Sequence, residues 1–306
     1  MVSNSVWRRF TLALAGIALC VLSPVNVWSQ AAVTTNFSGN QLYYADSSGV
    51  TQLESVSPGV NPANLIFALD QLIYYTLYGS GQVGVFNPYN RSNAIVVSGL
   101  DHPQALVLEP NCKAILVTVQ GLTTSKPSLA RIAIPSGQMS TVPLSFTPVG
   151  LAYDSSQRLF VADSTNNNVH QIDPSTGNIL NSLPTPLMSP NNQPDIPNEM
   201  TFDHFKQQLF LTSSTFGGIY QIPTNLSGYT FLASVPAPAN GIVSTGGGVL
   251  AIAGADTHIY SYTIQQNKLT QLISVPGLDG LALVPAIGCP LGTSNCGQDR
   301  SLLAWK

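Results

Sequence analysis

Charged residues are scarce in this chain, and their scarcity excludes two classes of protein. The 306 residues include 11 basic and 14 acidic side chains, 8% of the total, whereas 44% are hydrophobic. A net charge of -3 lacks the concentrated positive charge that a nucleic-acid backbone requires of its partner. Few charges combined with many apolar residues are also the opposite of a disordered composition. The sequence therefore predicts a globular protein that binds no nucleic acid.

Long hydrophobic runs are also missing. The longest, residues 10–22, counts 13 residues, short of the roughly 20 that cross a bilayer. Arg8 and Arg9 precede this run and a polar stretch ending in small residues follows it, which is the pattern of a secretory signal peptide. We therefore expect a signal peptide over 1–31 and a single domain over 32–306, secreted or periplasmic, with no membrane span in the mature chain.

Two other interpretations of the N-terminus stay open. The segment could remain attached as an uncleaved anchor, or the chain could be a lipoprotein acylated on Cys20. Acylation needs a small residue directly before the cysteine, and Leu19 occupies that place.

Cysteine is rare as well, with four in the chain and three after the predicted signal peptide. Cys289 and Cys296 stand seven residues apart in a segment rich in turn-forming residues, so we expect them to form a disulfide in an oxidising compartment. Cys112 is then left over and is expected to be a free, buried thiol. No spacing of cysteine or histidine typical of a metal site occurs.

Helical periodicity is absent from the predicted mature chain, and a repeat takes its place. A turn leads into a short apolar strand six times, and the third residues of these motifs are 40, 45, 49, 42 and 39 residues apart. That period is typical of a four-stranded propeller blade. The six motifs are PANLIFAL, HPQALVLEP, TPVGLAYD, IPNEMTFD, PANGIVST and GLDGLALVP. The fold class predicted is all-β, a six-bladed propeller.

The incomplete units at both ends predict how the ring closes. The last motif has little chain after it, while LYYADSSGVTQLESV precedes the first complete unit and matches the last two strands of the others. We expect a composite blade with two inner strands from the C-terminus and two outer strands from the N-terminus. Strands near 42–56 would then pair with strands near 281–306, and a Cys289–Cys296 bridge would tighten the inner hairpin. Such closure removes free sheet edges.

The repeat core LFVADSTNNNVHQID is similar to that of NHL propellers. The strand-start motifs PNEMTFD, PANGI and LDGLAL also resemble those of the six-bladed family that contains gluconolactonases and the senescence-marker protein. This resemblance implies a metal held by residues at the strand starts, and Asn198, Asn240 and Asp279 fall on matching motifs. That family also uses a glutamate near the start of the mature chain. The only early one here is Glu54, expected in an outer strand.

In a propeller, the innermost strands start at one mouth of the central channel, so the third residues of the six motifs are expected to form a ring there. Their oxygen atoms suit Ca²⁺ or another hard cation. Alternatively, the Asn and Asp side chains only hydrogen-bond the backbone of their turns. The polar ring members are Asn64, Gln104, Asn198, Asn240 and Asp279, and Val149 interrupts the ring.

The sequence contains no motif typical of another catalytic chemistry. Neither G-x-S-x-G nor H-E-x-x-H occurs. His102, two residues before Gln104, either lines the mouth or is a partly exposed turn histidine. Asp163 and Asp173 are expected to cap turns of the blade repeat.

Two functions follow as hypotheses. The first is a secreted binding or scaffold propeller, expected to be monomeric, that presents its channel mouth and loops to a protein, peptide, glycan or small molecule. The second is a Ca²⁺-dependent lactonase-like hydrolase in which the cation polarises a carbonyl and Asp279 is a ligand or base.

Overall fold

A computed structural model of the chain describes residues 31–46, 48–57, 59–68, 70–236 and 238–283. These residues form six four-stranded antiparallel sheets and one short 3-10 turn, Ile264–Gln266. The innermost strand of each sheet contacts those of its two neighbours, so the sheets close into a ring. The predicted all-β six-bladed propeller is therefore confirmed. Over the residues described, no helix has the length and apolar character needed to cross a membrane.

Five blades each come from one continuous stretch of chain, and their four strands follow one another outward from the channel. Blade 2 contains β4 (Pro62–Phe67), β5 (Ile73–Leu77), β6 (Gln82–Asn87) and β7 (Ser92–Ser98). Blade 3 contains β8 (Pro103–Leu108), β9 (Ala114–Val119), β10 (Ser128–Ala133) and β11 (Met139–Pro143). Blade 4 contains β12 (Pro148–Tyr153), β13 (Leu159–Asp163), β14 (Asn168–Ile172) and β15 (Ile179–Ser182). Blade 5 contains β16 (Pro197–Asp203), β17 (Gln208–Ser213), β18 (Gly218–Pro223) and β19 (Thr230–Ser234). Blade 6 contains β20 (Ala239–Gly246), β21 (Val249–Gly254), β22 (His258–Thr263) and β23 (Lys268–Ser274).

Blade 1 is the composite blade, but its strands divide differently from the prediction. Its innermost strand is β24 (Leu278–Leu283), followed by β1 (Ala32–Asn36), β2 (Gln41–Asp46) and β3 (Gly49–Ser55). The C-terminus thus contributes one strand and the N-terminus three. The expected division of two and two is wrong because β1 is a fully buried strand that already pairs with β24, at Val33 opposite Ala282.

The antiparallel order gives the ring two distinct faces. We call upper the face with the loops between blades and the turns that join second to third strands. We call lower the face with the turns that join first to second and third to fourth strands. Every innermost strand therefore begins at the upper face and ends at the lower one.

Packing between blades explains why the second strands read as continuous apolar runs. All residues of β5, β9 and β13 are buried, because neighbouring blades cover both faces of these strands. One apolar cluster joins Phe160 of blade 4 to Leu209 and Tyr220 of blade 5. Each such buried side chain contributes roughly 1.5–3 kcal/mol. The outermost strands, such as β11, are mostly exposed.

A threonine in the second strand ties each of several blades to the next. The Thr76 hydroxyl accepts the Asn64 N–H at 3.0 Å and donates to the Gln104 carbonyl of the following blade at 2.7 Å. Thr118 and Thr35 repeat the arrangement in blades 3 and 1. These bonds satisfy backbone groups of the innermost strands that the ladder bonds leave free.

Candidate functional site in the central channel

The six innermost strands align residue by residue, which fixes the register of the predicted ring. In blades 2 to 5 a proline is the first residue of the innermost strand, and in blades 2 to 6 a bulge begins directly after the first residue. The second residues of the six strands are Ala63, Gln104, Val149, Asn198, Asn240 and Asp279. The third residues are Asn64, Ala105, Gly150, Glu199, Gly241 and Gly280. The structure therefore places Ala63, and not Asn64, in the predicted ring. The reason is that the proline that opens the first motif corresponds to the second residue of the motifs in blades 3, 4 and 5.

The third position is small in four blades because the next blade lies against it. A Cβ atom at Gly150 would come within 2.4 Å of the Asn198 carbonyl oxygen, and one at Gly280 within 2.5 Å of the Ala63 carbonyl oxygen. Asn64 and Glu199 are the two exceptions. They lie in blades 2 and 5, which are opposite each other in a ring of six.

These two exceptional side chains meet. The Asn64 amide donates a hydrogen bond to the carboxyl group of Glu199, so the pair spans the channel. Asn64 is oriented for this because its own side-chain oxygen accepts the Leu65 N–H. Glu199 is buried, with 6% of its surface exposed.

Burial governs the protonation of the carboxyl groups in the channel. Desolvation raises the pKa of Glu199 to about 8, the Asn64 hydrogen bond partly offsets it, and repulsion from Asp279 adds to it. Desolvation also raises the pKa of Asp279 to about 7, although this side chain keeps some surface exposed along the channel. Two carboxyl groups near each other thus hold protons close to neutral pH. Such shifted groups are typical of functional sites.

Two asparagine side chains of the predicted ring bind neighbouring strands. Asn198 donates from Nδ2 to the carbonyls of Ala239 and Asn240 at 3.1 and 3.3 Å, and Asn240 donates to the Leu278 carbonyl at 3.1 Å. These hydrogen bonds connect blade 5 to blade 6 and blade 6 to blade 1, as the threonine hydroxyls do for blades 1, 2 and 3. Gln104 is half-buried, and its side chain makes no hydrogen bond among the described residues.

Glu199 is the residue that sequence reasoning missed. Its signal was present, because the third strand position is alanine or glycine in four blades and breaks to Asn64 and Glu199 in the other two. Glu54, the early glutamate considered instead, lies in outer strand β3 as expected and accepts from Asn93 at 3.5 Å. Among the described residues, no cluster of three or more His, Cys, Asp or Glu forms. Ca²⁺ binding by Asn64, Gln104, Asn198, Asn240 and Asp279 stays a prediction.

On the upper face, three rings from consecutive blades form what we call the aromatic arc: Phe37, Tyr78 and His102. The Phe37 and Tyr78 ring centroids are 5.6 Å apart, and those of Tyr78 and His102 are 4.7 Å apart in an edge arrangement. Tyr78 donates to Gln120 at 2.9 Å. The histidine is thus a partly exposed residue of the upper face, in contact with the Tyr78 ring.

Asp101 holds this part of the upper face in place. Its buried carboxylate contacts His102 Nδ1 at 2.6 Å and accepts the backbone N–H groups of Thr123, Thr124 and Ser125. Burial alone would raise the pKa of Asp101, but these hydrogen bonds outweigh it and lower the pKa well below its usual range.

Asp163 and Asp173 cap turns, as predicted. Asp163 accepts the Thr165 N–H at 2.8 Å, and Asp173 accepts the Ser175 N–H at 2.8 Å. Asp163 also contacts His170 Nε2 at 3.2 Å, while His170 Nδ1 contacts the Ser182 hydroxyl at 2.7 Å. The serine, histidine and aspartate order resembles a hydrolase triad. However, Tyr220 of β18 occupies the place of His170 in blade 5 and binds Asp195 at 2.6 Å, so the position serves as a structural cross-link.

Cys112 departs from the prediction. It is half-buried in the lower turn between β8 and β9, and it is disulfide-bonded instead of being a free buried thiol. Cys289 and Cys296 lie outside the described residues, so their pairing stays a prediction, as does the signal peptide over 1–31. After removal of the predicted signal peptide, the three remaining cysteines would allow one disulfide within a molecule, so a bond at Cys112 competes with the predicted Cys289–Cys296 pair.

Comparison with known proteins supports the propeller fold. The sequence matches no protein-family model and no curated protein. A chain from a crystal structure of a nidogen/laminin complex superposes with a TM-score of 0.68 at 13% identity, over 83% of this chain and 97% of that one. Virginiamycin B lyase from Staphylococcus aureus gives 0.59 at 18% identity, over 82% and 84%. A streptogramin B lyase gives 0.61 at 17% identity, over 82% and 83%. What these proteins share with the chain is the propeller.

Proposed function

We propose that the chain is an extracytoplasmic binding propeller whose ligand site is the upper mouth of the channel. The observation that carries this proposal is the distribution of charge between the two faces. In the described upper loops, the charged side chains that are not buried are Lys126 and Asp256. The described lower turns carry six charged residues that are not buried: Asp70, Arg91, Lys113, Arg158, Asp173 and Lys206. Two further charged residues of these turns, Glu109 and Asp154, are buried.

The upper loops combine this low charge with exposed apolar side chains. Leu122 is 55% exposed, Phe216 41% and Ile196 40%, and the aromatic arc lies on the same face. Ligand sites are typically concave, lined by apolar and aromatic groups with a few well-placed polar ones. The channel supplies the concavity and its carboxyl pair the polar groups. The known neighbours include one chain from a complex and two lyases, so the fold is compatible with binding and with catalysis.

Screening on peptide and oligosaccharide arrays tests this proposal. We expect binding that is lost in a Tyr78→Ala/Phe216→Ala variant, because both changes remove upper-face rings. A Tyr89→Ala/Phe205→Ala variant is the matched control, since these exposed rings belong to the lower turns. Binding that the lower-face variant abolishes and the upper-face variant retains would contradict the proposal.

A second candidate, a metal-dependent lactonase-like hydrolase, is favoured by Glu199. With this residue the channel holds two carboxyl groups, whose oxygen atoms fit a hard cation such as Ca²⁺. Glu199 and Asp279 would hold the ion, and a bound ion would polarise a substrate carbonyl.

Melting temperatures with and without calcium test this candidate. A cation bound only by the folded state must raise the melting temperature, by an amount that grows with its concentration. We expect the rise in wild type at about 5 mM Ca²⁺ relative to chelator, and its loss in Asp279→Asn and Glu199→Gln. Equal wild-type melting temperatures in both conditions, together with no lactone hydrolysis, would rule out this candidate and leave the binding function.

A further inference from the structure

The aromatic arc and its polar surroundings define a chemical class of ligand. This inference rests on the proposed binding function and makes it more specific. The three rings come from neighbouring blades and touch in sequence, so they form one strip of apolar surface along the upper face. His102 keeps 26% of its side chain exposed, and Phe37 and Tyr78 are half-buried, so the strip is accessible.

Neutral amides fix the arc in place. Asn61 donates from Nδ2 to the Phe37 carbonyl at 3.1 Å, and its backbone N–H donates to the Asn40 side chain at 2.9 Å. Because Phe37 and Tyr78 are held by loops that are bonded to one another, little freedom is lost when a ligand settles on them.

Further amides are available to a ligand beside the arc. Gln120 accepts the Tyr78 hydroxyl through Oε1, and among the described residues its amide nitrogen has no acceptor. The Gln104 side chain, at the start of β8 next to His102, has no hydrogen-bond partner among them either. Both are half-buried and belong to blade 3, Gln104 at the start of its innermost strand and Gln120 in an upper loop. Each can donate to and accept from a hydroxyl group.

Charge decides among ligand classes. Lys126 and Asp256 are the charged side chains of the described upper loops that are not buried. The Asp101 carboxylate is buried and accepts hydrogen bonds from its own loop. A sulfated or uronic glycan, an acidic peptide or a nucleic acid would find no row of basic groups here. Apolar rings flanked by neutral amides instead fit a ligand with alternating C–H faces and hydroxyl groups.

We propose that the upper face binds a neutral oligosaccharide, with its sugar rings on the aromatic arc and its hydroxyl groups bonded to Gln104 and Gln120. Tyr78 lies at the centre of the site because it contacts both other rings.

Calorimetric titration with defined probes tests the proposal. The probes are the hexasaccharides of cellulose, starch, mannan, xylan and chitin, with oligogalacturonate and heparin oligosaccharides as acidic comparisons. We expect wild type to bind at least one neutral probe, with an affinity that changes less than about twofold between roughly 50 and 500 mM NaCl. Tyr78→Ala should weaken binding at least about tenfold, as expected for a central aromatic contact, and Tyr78→Phe by only a few fold.

Tyr89→Ala, on the lower face, is the matched control and should bind as wild type does. Melting curves confirm that each variant is folded. Binding of none of the neutral probes, binding of acidic probes alone, or equal effects of Tyr78→Ala and Tyr89→Ala would overturn the proposal. If peptides bind the upper face and glycans do not, the binding function stands and only the assignment of glycans is wrong.

Discussion

The side-chain amide of Asn64 donates a hydrogen bond to the carboxyl group of Glu199 from the opposite side of the central channel. The two residues occupy the same position in the innermost strands of blades 2 and 5. Their contact places a carboxyl group of raised pKa in the middle of the ring, beside Asp279. The channel thus has a pair of carboxyl groups that lies below the sparsely charged upper face.

The raised pKa of Glu199 predicts how stability changes with pH. Below pH of about 4.5 the carboxyl is protonated in both states, and between about 4.5 and 8 only the unfolded state loses its proton. The folded state therefore loses stability as pH rises through this window. Asp279 acts with the same sign up to about pH 7. The pKa values of Asp101 and Asp163 are lowered, so these two residues stabilise the folded state until the pH falls below the ordinary aspartate pKa near 4.

Glu199→Gln should flatten this dependence, because glutamine has no proton to lose. At pH of about 8 we expect the variant to be more stable than wild type, by an amount on the order of 3 kcal/mol or more. Melting curves from pH of about 5 to 9 measure the effect. Glu54→Gln, at an outer strand, is the matched control and should keep the wild-type slope. Parallel slopes for wild type and Glu199→Gln would contradict the assignment.

The threonine ties predict a cost for Thr76→Val. Valine has nearly the same shape but leaves the Asn64 N–H and the Gln104 carbonyl without their partner. Such buried unsatisfied groups cost roughly 1–3 kcal/mol, which lowers the melting temperature of a domain of this size by a few degrees. Thr51→Val, at an exposed position of β3, should change stability by less than about 0.5 kcal/mol. An equal effect of the two substitutions would show that the tie contributes nothing.

Much of the architecture follows from the sequence, because each blade repeats the same order of strands and turns. The period, the blade count and the joining of the two ends could all be predicted from turn residues and apolar runs. The strand division of blade 1 could not, because β1 is only five residues long and follows directly on the predicted signal peptide. A composite blade fixes only the total of four strands, and one or two can come from either end.

The centre of the site was harder to predict than the ring around it. Asp279, Asn198 and Asn240 stand out in their motifs as polar residues at strand starts. Glu199 can be recognised as a site residue only through its contact with Asn64, which lies three blades earlier in the chain. Folding alone brings the two residues together. The sequence analysis assigns Asn64 to the second strand position, so its equivalence to Glu199 at the third position is not visible there. A shift of one residue matters because adjacent strand positions face different surroundings.

Peptide mapping under non-reducing conditions tests the disulfide of Cys112. Strand β24 ends with Leu283 at the lower face. The turn that carries Cys112 belongs to the same face. We expect a peptide containing Cys112 to be linked to one containing Cys289 or Cys296. Recovery of a Cys289–Cys296 link with Cys112 as a free thiol would contradict this expectation and support the pairing that the sequence predicts.

The most direct test is a carbon-13 NMR titration of the channel carboxyl groups in protein labelled at glutamate and aspartate, with Glu199→Gln and Asp279→Asn used for assignment. The account predicts that the pair titrates with midpoints near 8 for Glu199 and near 7 for Asp279. Asn64→Ala should move the Glu199 midpoint higher still, because it removes the hydrogen bond that favours the charged form. Midpoints near 4 for both carboxyl groups, unchanged by Asn64→Ala, would contradict the account.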